Sequence, residues 1–167
     1  GHSMGGMIVQ EITKIASEKI AKLICYGTGP IGDIPGRFET IEQSRKKLKD
    51  NGLQVISNRI AETWFVNGNK SKYFHLCKKA GQATSFEAAD NALIAMKDWS
   101  GIENLKNIKN LTLIIWGDKD KSYDFSQIEI LNKNITNSKL KIIRGCSHNV
   151  HLEKPDEFNN CIIEFLQ

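Results

Sequence analysis

The stretch Leu111-Thr112-Leu113-Ile114-Ile115-Trp116 is apolar at every position but one. A strand with one face in water alternates apolar and polar residues. An unbroken run therefore predicts a strand covered on both faces, as in a parallel sheet packed between helices. Two shorter runs, Leu23-Ile24-Cys25-Tyr26 and Leu140-Lys141-Ile142-Ile143, read as its companions. All three end close to a glycine (Gly27, Gly117 and Gly145), which permits a tight exit from the strand's carboxyl end. In α/β sheets that end is where active sites are built.

Helical patterns alternate with these runs. Ile8, Ile12 and Ile15, at offsets 0, 4 and 7, give one face of a helix from about Met4 to Glu18. Phe158, Cys161, Ile162, Phe165 and Leu166 form a second stripe, with Pro155, Asp156 and Glu157 suited to its first turn. A shorter helix is expected around Ile128 to Ile135. Strand–helix alternation with short links predicts α/β architecture with parallel strands. From about Arg37 to Trp99 the alternation stops. Helical patterns at Ile41–Asp50, Val55–Phe65, Lys70–Lys79 and Phe86–Asp98 fill this stretch without a convincing strand. It reads as a helical insertion, 37–99, over the active edge of a core made of 1–36 and 100–167.

Composition narrows the class. A chain of 167 residues, 40% hydrophobic and 25% charged, suits one globular domain with an insertion. The net charge of +4 comes without any block of five like charges, and Arg45-Lys46-Lys47 sits among acidic neighbours as a solvated helix face. Neither a nucleic-acid nor a membrane partner is expected, and no apolar run is long enough to span a bilayer. The four cysteines, Cys25, Cys77, Cys146 and Cys161, form no CxxC pair and read as free thiols in a reducing compartment. A cytoplasmic location follows as an expectation.

Three segments carry chemistry. Gly1-His2-Ser3-Met4-Gly5 matches G-x-S-x-G and runs directly into a helix. A serine on such a turn adopts a strained backbone, bulky residues two positions either side would clash, and the N–H of Met4 would face a developing oxyanion. Trp116-Gly117-Asp118-Lys119-Asp120 places an acid just past the second strand. Gly145-Cys146-Ser147-His148-Asn149-Val150-His151 places a histidine just past the third. A triad needs a hydroxyl to attack, an imidazole to take its proton and a buried carboxylate to orient that imidazole. Asp118 rivals Asp120 as the acid, Asp124 reads as a helix N-terminal residue, and His151 rivals His148, which is nearer Gly145. A metal site at His148, His151 and Glu153 lacks the helical context such spacing needs. His75 reads as a surface or packing residue. Trp64, Phe65, Phe74, Phe86 and Trp99 read as core of the insertion, with one or two open to lining a pocket.

Together GHSMGG, LTLIIWGDKD and GCSHNVHLEKPDEFN resemble the α/β-hydrolase superfamily, in its cap-bearing esterase, lactonase and C–C-bond-hydrolase branch. GRFETIEQSR is similar to the cap start of enol-lactonases and meta-cleavage-product hydrolases. The resemblance implies Ser3 as nucleophile, Asp120 as acid through the G-x-x-D spacing from Gly117, His148 as base and Met4 as an oxyanion donor. It implies a helical cap over 37–99, no metal or organic cofactor, and a small-molecule substrate. The bond attacked stays open among an ester, a lactone and a C–C bond beside a carbonyl. A non-catalytic ligand receptor on the same fold is the rival reading.

In that superfamily a strand leads into the nucleophile, and an earlier loop donates a second oxyanion N–H. Ser3 is the third residue here, so the sequence is expected to be the C-terminal part of the fold, N-terminally truncated. These 167 residues alone are expected to be inactive and poorly soluble.

Overall fold

The computed structural model describes residues 1–167. Along the chain run α1 (Met4–Ala16), β1 (Lys22–Tyr26), α2 (Ile41–Asn51), α3 (Leu53–Thr63), α4 (Phe74–Gln82), α5 (Phe86–Lys97), β2 (Leu111–Gly117), α6 (Phe125–Asn134), β3 (Ser138–Ile143), α7 (Val150–Glu153) and α8 (Pro155–Leu166). The strands form one parallel sheet in the order β1-β2-β3. β2 takes the middle, and Thr112 to Gly117 are all buried, which accounts for its apolar run. β3 lies at the edge, and only its last residue, Ile143, is buried.

Successive strand side chains point to opposite faces, and each face has its own cluster. On one face Leu23, Cys25, Ile114 and Trp116 pack with Met7, Leu105, Ile128 and Leu131, so α1 and α6 cover it. On the other, Tyr26, Leu113, Ile115 and Ile143 pack with Val150 and with Phe158, Cys161, Ile162 and Phe165 of α8. The α8 stripe thus docks as its periodicity predicts, except that Leu166 is exposed. Pro155 starts α8 with Asp156 and Glu157 in its first turn.

The isoleucine stripe of α1 behaves differently. Ile8, Ile12 and Ile15 are 51%, 41% and 82% exposed, and the buried residues of α1 are Gly6, Met7, Gln10 and Thr13. The closest backbone approach sets the rotation. A Cβ on Gly6 would lie 2.4 Å from the Thr28 side chain, so the helix can seat only with its glycine inward. Gln10 Nε2 then donates to the Gly6 and Gly29 carbonyls.

Between β1 and β2 the chain is helical, α2 to α5. The third of these starts at Phe74 rather than near Lys70, because Gly68, at φ 53, leads into a separate 3-10 turn over Gly68–Lys70. A capping box between Thr40 and Gln43 starts α2. Just before it, Glu39 is 5% exposed and accepts hydrogen bonds from Ser44, Lys47 and Arg59, tying α2 to α3. Burial raises the Glu39 carboxyl, but the bonds from Arg59, Lys47 and Ser44 outweigh it and bring the pKa to about 2.

Two outcomes follow from this packing. Ile114→Ala, at a fully buried site in β2, is expected to lower unfolding free energy by about 2–5 kcal/mol in urea titrations. The Glu39 contribution is complete above its ordinary pKa of 4.5 and is lost as pH falls through about 2. Stability measured against pH should therefore drop over that window, and Glu39→Gln should flatten the drop.

Candidate active site

The carboxyl ends of the three strands open onto one edge, and the loops after them are bonded together. Asp118 N–H donates to Ile143 O and Lys119 N–H to Cys146 O, which zips the loop after β2 to the loop after β3. Asp118 Oδ1 accepts from Gly145 N–H at 2.5 Å and so acts as a strut between the loops. Asp120 turns inward instead. Its Oδ1 accepts from Ser122 and Tyr123 N–H, and its Oδ2 lies 2.9 Å from His148 Nδ1. The two side chains are 0% and 1% exposed. A carboxylate only accepts, so His148 Nδ1 carries the proton and Nε2 is the ring nitrogen left for chemistry. Asp124 is the N-cap of α6, where its side chain accepts from Gln127 N–H.

Ser3 precedes α1 and is the only non-glycine residue with positive φ, at 53°. Such a conformation costs on the order of 1–3 kcal/mol and persists only where the surroundings over-determine it. Here they do: Ser3 N–H donates to Tyr26 O at 3.0 Å, and Ser3 O accepts from Gly6 N–H and the Thr28 hydroxyl. The glycines around it divide the work unexpectedly. A Cβ on Gly1 would lie 2.2 Å from Gly5 O, as a clash two residues before the serine requires. Gly5 itself has open space on that side, and the crowded downstream position is Gly6. Gly5 and Gly6 N–H are bonded to His2 O and Ser3 O, whereas Met4 N–H opens the helix without such a partner.

Ser3 and His148 line the same cavity of about 610 Å³, with Met4, Trp64 and Tyr123 also on its wall. No hydrogen bond joins the Ser3 hydroxyl to His148. The structure thus brings Asp120 and His148 into contact and places Ser3 on the cavity that His148 lines.

His151 stands behind this pair. Tyr26 Oη donates to His148 O at 2.8 Å, so it accepts from His151 Nδ1 at 2.9 Å. His2 stacks on Tyr26 with ring centroids 4.2 Å apart, and its Nε2 lies 3.2 Å from His148 O. Burial, reinforced by His148 and His151, pushes His2 down to about 3, so it stays neutral at neutral pH. Glu153 accepts from Ser147 and Val66 N–H, which occupies both its oxygens. His75 is exposed on the helical segment, as expected for a surface histidine.

Three bonds fasten the end of α3 beside His148. Asn149 N–H donates to Trp64 O, the Ser147 hydroxyl to Thr63 O, and Val66 N–H to Glu153. Trp64 packs against His148 at 5.8 Å. Of the five aromatics singled out in the sequence, it alone lines the cavity. Phe65 is core, and Trp99 donates to Glu11. Sequence reasoning missed Tyr26 and Tyr123. Tyr123 stacks on His148 at 5.8 Å with 14° between planes. Its place three residues after Asp120 was the available signal. Cys77, half-buried on the cavity wall, accepts from Asn149.

Several known proteins resemble this chain. Over 64 residues, 38% of this chain and 19% of the relative, it is 41% identical to monoacylglycerol lipase ABHD6 of Rattus norvegicus. Over its whole length it is 25% identical to the 2-hydroxy-6-oxo-6-phenylhexa-2,4-dienoate hydrolase of Comamonas testosteroni, covering 61% of that protein. The solved esterase EaEST from Exiguobacterium antarcticum superposes with a TM-score of 0.89 at 22% identity, over 99% of this chain and 64% of that one. The chain thus spans less than two thirds of the length of each. No helix is long and apolar enough to cross a membrane. Residues 1–160 match the alpha/beta hydrolase family, and the chain belongs to it.

Proposed function

We propose that the protein is a serine hydrolase acting on a small ester, lactone or C–C bond beside a carbonyl. The observation that carries this reading is the shared cavity: a strained Ser3 at the start of α1 and an imidazole held by a buried carboxylate. In this scheme Ser3 Oγ attacks the carbonyl carbon while His148 Nε2 takes its proton. Asp120 holds Nδ1–H and stabilises the imidazolium that forms. Met4 N–H, aided by the positive end of α1, stabilises the oxyanion. His148 then returns the proton to the leaving group, and water releases the acyl enzyme by the same steps. No metal or organic cofactor enters this chemistry.

We further propose that residues 37–99 are a cap over this edge. Ile56, Ile60, Leu93 and Met96 of its helices line the cavity that Ser3 and His148 share. Such a wall suits a mostly apolar substrate with one polar reacting end. The relatives include a monoacylglycerol lipase and a dienoate hydrolase, which leaves the reacting bond open. The activity is proposed for the whole protein, since the chain spans only part of each relative's length.

The test is steady-state hydrolysis of p-nitrophenyl butyrate by the full-length protein. Ser3→Ala and His148→Ala are each expected to lower kcat by about 10⁴-fold or more. Asp120→Asn should cost on the order of 10³–10⁴, and Asp118→Asn should leave kcat within a few-fold while lowering the melting temperature. Full activity in Ser3→Ala would remove Ser3 from its role. Ligand-induced stabilisation without any turnover would favour a receptor instead.

A further inference from the structure

The main-chain carbonyl of His148 receives two side-chain donors. Tyr26 Oη reaches it at 2.8 Å and His2 Nε2 at 3.2 Å. A carbonyl only accepts, so both groups must present a proton to it. That fixes His2 as the Nε2–H tautomer and commits the single proton of the Tyr26 hydroxyl. His151 donates to the Tyr26 oxygen in turn, with Nδ1–H at 2.9 Å and its backbone N–H at 3.3 Å. Donors into a hydroxyl oxygen polarise its own O–H and strengthen the bond it gives. Burial raises the Tyr26 phenol well above its ordinary pKa, so the proton stays on the oxygen.

The same two residues also hold the serine. Tyr26 N–H donates to Gly1 O and Tyr26 O accepts from Ser3 N–H, both at 3.0 Å, so His2 pairs with Tyr26 as a parallel bridge beside β1. The His2 ring stacks on Tyr26 at 4.2 Å and packs against His148 at 4.5 Å. At Gly27, the next residue, a Cβ would lie 3.2 Å from His148 Nδ1, so no side chain separates the end of β1 from the imidazole. Tyr26 thus grips Ser3 through its backbone and His148 through its side chain. His2 links the same two residues, one by a peptide bond and the other by its ring nitrogen.

We propose that Tyr26 and His2 are positioning residues for the base, a two-donor clamp on the His148 carbonyl that keeps its imidazole in register with Ser3. The catalytic consequence rests on the hydrolase reading and deepens it. Either donor alone leaves the carbonyl satisfied. Loss of both leaves a buried carbonyl unpaired, which is costly, and the loop after β3 then settles elsewhere. A displacement of about 1 Å between reacting groups can cost on the order of 10²-fold in rate.

Ester kinetics and proton NMR of the full-length protein test the clamp. The His148 Nδ1–H resonance, moved downfield by the bond to Asp120 and assigned by its absence in His148→Ala, is read without substrate. Tyr26→Phe and His2→Leu are each expected to lower kcat by about tenfold at nearly constant KM and to broaden this resonance through faster exchange. His2→Gln keeps a donor and should recover most of the loss. The double variant Tyr26→Phe/His2→Leu should lose more than the product of the single losses, since neither donor remains. Thermal melts check that each variant is folded at the assay temperature. A folded Tyr26→Phe protein with native kcat and a native resonance overturns the proposal. Should that variant not fold, the same result in His2→Leu overturns it equally. If the native protein hydrolyses nothing, the hydrolase reading fails, and the resonance alone decides whether the clamp holds the imidazole.

Discussion

Burial of β2 on both faces is the constraint from which the rest of the molecule is built. It forces a helix layer onto each side of the sheet, with α1 and α6 on one and α8 on the other. The pairing is parallel, and the crossovers between strands carry covering helices. Parallel pairing then brings the carboxyl ends of β1, β2 and β3 to one edge. There Gly27 N–H donates to Ile115 O, and the loops after β2 and β3 bond to each other. Residues 3, 120 and 148 gather at one edge for that reason, although 117 positions separate the first two.

The site is rigid where geometry matters. A serine in a costly backbone conformation is held by bonds to β1 on one side and to Thr28 and Gly6 on the other. His148 is fixed by Asp120 at its Nδ1, by Tyr26 at its carbonyl and by aromatic rings against its imidazole. Such preorganisation is what the proposed hydrolysis would use, since donors and base would need no rearrangement as charge develops. The helical segment takes part through Trp64 and the bonds that join α3 to the His148 loop. Movement of that segment would therefore reach the proposed base directly.

Much of this was legible in the sequence because it rests on local rules. The three strands lie where the apolar runs placed them, and the helix starts at Asp124 and Pro155 follow from local chemistry at a helix N-terminus. The G-x-S-x-G turn was readable because a strained serine demands a glycine before it, and Gly1 meets that demand. The expected roles of Gly5 and of the isoleucine stripe did not survive. Periodicity defines a face of a helix but not the direction in which that face points. For α1 the direction was set by the seat of Gly6 on Thr28.

The sequence by itself determined the elements, their order and the residue types able to do chemistry, since propensity, period and turn residues act over a few positions. Only the tertiary structure decided between near neighbours. Asp118 and Asp120 are two residues apart and chemically alike, yet one braces Gly145 and the other holds His148. His148 and His151 part in the same way, one facing the carboxylate and the other Tyr26. Nothing local marks Tyr26 as a partner of the His148 carbonyl either. Which carbonyl a buried hydroxyl reaches depends on how distant segments are brought together, and here 122 positions separate the two.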